Sequence, residues 1–157
     1  MHKPTAAVVD QLGELISSLA ERDPELAASQ RLLLHADLRH RRPDLTRALI
    51  TLTRAAQENG LDLGPVLTAA STRAACALLG ERHPGASIEV RVPPYAAVQI
   101  GFESGPKHTR GTPPNVVEMP ADVFLGLVTG LTAWESATAR LSVSGAHASE
   151  AAQAFPL

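Results

Sequence analysis

Hydrophobic positions in the first part of the chain recur at the spacing of an amphipathic helix. Val8, Leu12, Leu15 and Leu19 follow one another at i, i+4, i+7 and i+11, which places them on one helical face. Thr5 precedes this run and has a side chain suited to cap a first turn. The pattern therefore predicts a first helix that begins just after Thr5.

Turn and cap residues predict three more helices before residue 84. Asp23-Pro24 has the order of an N-cap followed by a first-turn proline, and Pro43-Asp44 begins another helix. Asn59-Gly60 is typical of a left-handed helix end. A fourth helix is predicted from about Pro65 to Leu79, with Gly80 ending it. Isolated helices of this length are marginal, so the apolar faces of the first three need a partner.

The hydrophobic period changes to two after Pro84-Gly85. Apolar and polar residues alternate over 88–92, as in a half-buried strand. Pro93-Pro94 must form a kink or an edge, because proline cannot donate to a strand ladder. Residues 95–102 are the second predicted strand, and residues 116–119 are the third.

The last third of the chain predicts a helix, a short helix and a final strand. The helix begins at Pro120, continues through Val128 and is stopped by Gly130. A short helix is expected around Trp134, and a strand near 141–143. The whole order predicts an α+β fold with two parts, an all-helical N-terminal segment of about three helices (1–62) and an α+β domain (63–157).

Composition excludes several classes of function. The 157 residues carry a net charge of −2, so no global field attracts nucleic acid or an anionic membrane. The single Cys76 rules out an intrachain disulfide and fits a reducing cytoplasm. No apolar run approaches the roughly 20 residues that span a bilayer. We expect a cytoplasmic protein that has no nucleic-acid partner and does not insert stably into membranes.

The motifs of enzymes and metal sites are missing from the sequence. It has no phosphate loop, no Gly-x-Ser-x-Gly elbow and no pattern of zinc ligands. Cys76 lies among alanines and leucines in the fourth predicted helix, where a buried core residue is expected instead of a nucleophile. The sequence therefore predicts no catalytic residue, no metal and no cofactor.

Two polar segments leave alternatives open. The basic run 39–42 either contacts phosphate groups of a lipid or nucleic acid, or complements the dipole at a helix C-terminus, which is the favoured interpretation. The segment 107–112 carries two cations, two hydroxyls and a glycine, so it is able to hold a carboxylate or phosphate head group. A solvated hairpin connection has the same composition and is favoured on physical grounds alone.

Several segments of the second half carry a family resemblance. Arg91-Val92-Pro93-Pro94-Tyr95-Ala96-Ala97-Val98-Gln99, the segment 108–118 and the glycine-ended run 124–130 resemble the bacterial, mainly actinobacterial, branch of the sterol carrier protein family. The resemblance covers about residues 64–157. It implies a sterol-carrier-like mixed sheet covered by helices, with an apolar tunnel between them. It also implies non-enzymatic binding or carriage of an apolar small molecule, such as a fatty acid, a sterol-like compound, an isoprenoid or an acyl-thioester.

Candidate site residues follow from this resemblance and from the apolar faces. The expected apolar lining comprises Val98, Ile100, Phe102, Phe124, Leu127, Val128, Leu131 and Trp134. The expected head-group contacts are Tyr95, His108, Thr109 and Arg110. The alternative function is an interaction module on a filled scaffold, in which the N-terminal helices form a homodimer or dock a partner. An enzyme is the least favoured reading, because His108 beside Tyr95 is the one acid–base pair we are able to suggest.

Overall fold

A computed structural model describes residues 1–102 and 115–157. The chain divides into two compact units, Met1–Ala74 and Ala75–Leu157. The division lies inside the fourth helix, and the predicted domain boundary near residue 62 stays a prediction. The helices and the mixed sheet confirm the α+β fold class.

Four helices precede the sheet, as the hydrophobic pattern predicts. They are α1 (Ala6–Ala20), α2 (Pro24–Arg39), α3 (Thr46–Glu58) and α4 (Gly64–Arg82). The Thr5 hydroxyl accepts a hydrogen bond from the Val8 N–H at 3.4 Å, and the Asp23 carboxylate accepts one from the Leu26 N–H at 2.9 Å. Both predicted N-caps are therefore confirmed.

The Met1–Ala74 unit has its own apolar core. Leu12, Ile16 and Leu19 of α1 are buried, as are Leu49 and Leu52 of α3. A hydrogen bond of 2.9 Å between the hydroxyls of two further buried residues, Thr53 and Ser71, joins α3 to α4. Gly60 has a φ of 61°, which confirms the left-handed turn expected after α3.

The prediction that Gly80 ends the fourth helix is wrong, because α4 continues to Arg82. A Cβ atom at position 80 would lie 2.8 Å from Cγ2 of Val98. Gly80 therefore serves the close packing of the helix on a strand, and its backbone stays helical. A glycine in a helical run therefore does not show by itself whether the helix ends there or packs closely against a neighbouring element.

A four-stranded mixed sheet forms the centre of the Ala75–Leu157 unit. The strands are β1 (Ile88–Val92), β2 (Ala96–Ile100), β3 (Val116–Glu118) and β4 (Ser142–Ser144), in the spatial order β2-β1-β3-β4. β1 pairs antiparallel with β2 and parallel with β3, and β3 pairs antiparallel with β4. β1, β2 and β3 fall within runs that the sequence predicts, with β2 shorter than expected, and β4 ends one residue beyond the predicted run 141–143.

One face of this sheet is apolar across all four strands. The register aligns Val98, Val90, Val117 and Val143 in a single row. Val90 and Val117 are fully buried, Val98 is half-buried and Val143 is exposed at the edge. The apolar face therefore becomes more exposed toward the edge strands, as expected where helices cover its centre.

Two helices and two 3₁₀ segments complete this unit. They are α5 (Ala121–Thr129), α6 (Trp134–Ala137), a 3₁₀ turn (Thr138–Arg140) and a terminal 3₁₀ helix (Ala148–Ala154). Gly130 has a φ of 75° and confirms the predicted stop of α5. The terminal 3₁₀ helix was not predicted, yet it packs against β1, β3 and β4. Its buried alanines at 148, 151 and 154 have the three-residue period of a 3₁₀ helix.

Candidate functional site

A cleft of about 320 Å³ lies beside the C-terminal end of α5. Most of its lining is apolar or small, with one charged residue and one hydroxyl. The lining residues are Leu127, Gly130, Thr132, Ala133, Trp134, Glu135, Ala152, Phe155 and Pro156. All of them belong to the Ala75–Leu157 unit.

The turn from α5 to α6 forms one wall of this cleft. The Thr132 N–H donates to the Gly126 carbonyl oxygen at 3.0 Å, which folds the chain back onto α5. A Cβ atom at position 126 would lie 2.5 Å from the Thr132 hydroxyl oxygen. A side chain at residue 126 would therefore force Thr132 to shift.

An aromatic cluster, which we call the aromatic wall, forms another part of the cleft lining. The rings of Trp134 and Phe155 are stacked, with centroids 6.0 Å apart and an interplanar angle of 25°. Phe155 also meets Phe124 edge-on, with centroids 6.0 Å apart and an angle of 88°. The Leu157 N–H donates to the Val128 carbonyl oxygen at 3.1 Å and holds this segment against α5. The wall thus joins three separate parts of the sequence.

Charge at the cleft comes from one acidic side chain. Of the cleft-lining residues in the described part of the chain, only Glu135 is charged, and its side chain is exposed. At the N-terminal end of α5, Asp122 forms a bidentate ion pair with Arg140, with N–O distances of 2.6 and 3.1 Å. The hydrogen bond from Arg140 lowers the pKa of Asp122 from its usual value. Both partners are exposed, so we assign this pair a minor role in stability.

The cleft and the sheet lie in the region where the chain matches a known family. Residues 66–157 match the model of the family described as bacterial SCP ortholog. The chain belongs to the bacterial SCP ortholog family. No curated protein gives a significant match to the chain. Membership indicates, at a coarse level, a lipid-binding carrier role, and SCP-like domains are generally non-catalytic.

The apolar residues proposed for an SCP-type site on α5 and after it fall into three groups. Leu127 and Trp134 line the cleft together. Phe124 and Val128 are buried, and Phe124 supports the aromatic wall through Phe155. Leu131 follows the end of α5 and is 44% exposed, outside the cleft lining.

The expected lining residues on β2 and just after it are not part of this cleft. Ile100 is buried and Val98 is half-buried against Gly80. Phe102 is half-buried, and its ring centroid is 5.3 Å from that of His83. The structure therefore places Val98 beside α4 and Phe102 beside His83, the residue that follows α4.

The expected head-group residues are only partly described. Tyr95 is half-buried in the turn between β1 and β2, where its N–H donates to the Val92 carbonyl oxygen at 2.9 Å. His108, Thr109 and Arg110 lie outside the described residues. Their role in holding a head group stays a prediction.

Three cleft residues with structural roles were missed by the sequence analysis. Phe155 and Pro156 come from the terminal segment, and Thr132 comes from the turn after α5. The chain has only three phenylalanines, so a Phe near the end was a signal that it packs on the core. The sequence separation of Phe155 from Phe124 and Trp134 gave no sign that these rings meet, because their contact depends on tertiary folding.

The single thiol of this SCP family member is poorly suited to nucleophilic catalysis. Cys76 is buried, and burial raises the pKa of its thiol to about 12, so it stays protonated at neutral pH. Within residues 1–102 and 115–157, no group of three or more His, Cys, Asp or Glu side chains is placed to hold a metal ion. No helix in these ranges is long and apolar enough to cross a membrane.

Proposed function

We propose that the protein binds an apolar small molecule without chemical change and that the cleft beside α5 receives it. The observation that carries this proposal is that the stacked rings of Trp134 and Phe155 line one cleft together with Leu127, within the family-matched residues. Small-molecule sites are concave and mostly apolar, with a few polar groups that orient the ligand. The cleft has this composition.

The volume of the cleft limits how much of a ligand it holds. About 320 Å³ lies at the lower end of the usual range for ligand sites, roughly 300–1,000 Å³. It suits one acyl or isoprenoid chain, or part of a longer molecule. Each buried methylene contributes about 0.8 kcal/mol to binding. Fatty acid, sterol-like, isoprenoid and acyl-thioester ligands remain the proposed classes.

The polar end of the ligand is proposed to lie at the rim. Thr132 supplies a hydroxyl and Glu135 a carboxylate among the lining residues. An alcohol head group is able to donate to either side chain, whereas a carboxylate would be repelled by Glu135. Two residues expected to hold a head group, His108 and the cationic Arg110, would favour a fatty acid. A comparison of dodecanol with dodecanoate separates these two arrangements.

Filling the cleft is expected to remove binding. Ala133 lines the cleft and is itself exposed, so Ala133→Phe adds a ring there without entering the core. We expect an affinity loss of about tenfold or more, since excluding two ligand methylenes removes roughly 1.6 kcal/mol. Trp134 is the single tryptophan of the chain and lines the cleft, so its fluorescence reports titrations with dodecanol, dodecanoate and farnesol.

Ala139→Phe is the matched control, because Ala139 is exposed and does not line the cleft. It should bind every probe as the unchanged protein does. Equal affinity in the Ala133 and Ala139 variants would exclude this cleft as the site. If none of the three probes binds the unchanged protein, the carrier function itself is contradicted.

Association through the N-terminal helices, as a homodimer or with another protein, stays a prediction. The most exposed large apolar side chain of α2 is Leu32, at 72%. A single exposed leucine is common on monomeric proteins. It therefore does not displace the carrier proposal.

A further inference from the structure

The ends of three segments meet at one end of the Met1–Ala74 unit. The Leu45 N–H donates to the His2 carbonyl oxygen at 2.9 Å, and the His2 N–H donates to the Asp44 carboxylate at 2.8 Å. These bonds join the residues before α1 to the connection between α2 and α3. Beside them is a cleft of about 500 Å³ lined by Met1, Lys3, Pro4, Arg42 and Pro43.

This end of the unit carries a concentration of exposed cations, which we call the basic end. It comprises Lys3, Arg39, Arg41 and Arg42, all of them exposed. Among the residues that the structure describes, their side chains make no hydrogen bond or ion pair that would neutralise them. Their charges are therefore available to an external partner.

The acidic side chains nearest to the basic end are already engaged. Asp44 accepts from the Thr46 hydroxyl at 2.7 Å and the Thr46 N–H at 3.0 Å, as well as from His2. Asp37 forms an ion pair with Arg47 at 2.8 Å. Burial alone would raise the pKa of Asp44, but these hydrogen bonds outweigh it and the pKa is lowered. Asp44 therefore stays ionised at neutral pH, and its negative charge offsets part of the charge of the four cations.

Charge is unevenly distributed along this unit. Residues 1–74 contain as many Lys and Arg residues as Asp and Glu residues, so the unit has no net charge. At the other end of these helices, the connection between α1 and α2 carries Glu21, Asp23 and a single cation, Arg22, and the first turn of α2 adds Glu25. Attraction of an anionic partner must therefore act locally, at the basic end, and not through the charge of the whole protein.

We propose that the basic end docks on an anionic membrane surface. Phospholipid head groups present many phosphates in a plane, which suits several exposed cations at one end of the unit. Met1 is 56% exposed beside these cations and, with Pro4 and Pro43, supplies apolar contact for the interface. Nucleic acid fits less well, because residues 1–74 contain no Phe, Trp or Tyr on which bases could stack.

The expected strength follows from the number of cations. One Lys or Arg near an anionic membrane raises partitioning roughly fivefold, so four raise it several hundredfold. The attraction falls off over the Debye length, about 30 Å at 0.01 M salt and about 8 Å at 0.15 M. Binding should therefore be reversible and sensitive to salt. The proposal is independent of the ligand cleft, since the basic end lies outside the family-matched residues.

Cosedimentation with vesicles tests this surface. Full-length protein is mixed with vesicles of phosphatidylcholine alone, or of equimolar phosphatidylglycerol and phosphatidylcholine, at low and at physiological salt. We expect binding to the anionic vesicles only, and weaker binding as salt rises. The double variant Arg41→Gln/Arg42→Gln removes two cations and should bind about 30-fold less tightly.

The matched control is Arg22→Gln/Arg31→Gln. Both residues are exposed on the same unit, and the variant has the same net charge as the test variant. It should bind as the unchanged protein does. Equal weakening in both double variants would overturn the proposal, because binding would then depend on net charge alone. Absence of binding to anionic vesicles at low salt would also overturn it, as would binding to single-stranded DNA but not to vesicles.

Discussion

Phe124→Ala is expected to lower the free energy of unfolding of the Ala75–Leu157 unit by about 3–5 kcal/mol. The Phe124 ring is fully buried and meets Phe155 edge-on, so its removal leaves a cavity and breaks an aromatic contact. The loss of Phe155's support should also change the surroundings of Trp134, which is stacked on Phe155. Urea unfolding followed by Trp134 fluorescence and by circular dichroism measures the effect.

Leu131→Ala provides the comparison for this substitution. Leu131 is 44% exposed, so we expect a change within about 0.5 kcal/mol. Both variants remove apolar atoms from residues that the sequence assigns to one lining face. Equal losses of stability in the two variants would contradict the packing of α5 described above.

The contrast between Phe124 and Leu131 shows where a hydrophobic pattern stops being informative. Their spacing of seven residues places them on one face only if the helix continues. Gly130 adopts a left-handed conformation and ends α5 first, so Leu131 leaves that face. The stop at Gly130 is predictable from the sequence, and it also implies that Leu131 lies beyond the helical face.

Local signals predicted most of the elements. Thr5, Asp23, Gly60 and Gly130 each act within one helical turn, and the structure confirms all four. The alternation over 88–92 predicted β1. A strand that is covered on one face alternates buried and more exposed residues with a period of two. These features require no knowledge of distant residues.

The candidate site depends on contacts that no local pattern encodes. Phe155 reaches Trp134 and Phe124 only when the terminal segment folds back along α5. Gly80 was predicted as a helix end because its close packing on Val98 is not visible locally. Val98 lies on β2, which is separated from α4 by β1 and two connections. In both cases the deciding residue is far away in sequence, so the aromatic wall could not be predicted from spacing.

Gly126→Ala is expected to destabilise the same unit by about 1–3 kcal/mol, although alanine favours helix formation. The new Cβ would lie 2.5 Å from the Thr132 hydroxyl oxygen, and the Thr132 N–H is bonded to the Gly126 carbonyl. The turn that forms one wall of the cleft must therefore shift. Urea unfolding measures the loss of stability, and dodecanol titration measures the accompanying change in the cleft.

Gly13→Ala separates this clash from the intrinsic effect of the substitution. Gly13 is interior to α1, exposed, and a Cβ there meets no atom within 4 Å, so we expect stabilisation by about 0.5–1 kcal/mol. Thr132→Ala removes the clashing oxygen, so the Gly126→Ala/Thr132→Ala variant should recover part of the loss. A positive coupling in this double-mutant cycle attributes the loss to the contact between residues 126 and 132. Additive effects would mean that Gly126 is required for another reason, and the turn would no longer explain the shape of the cleft.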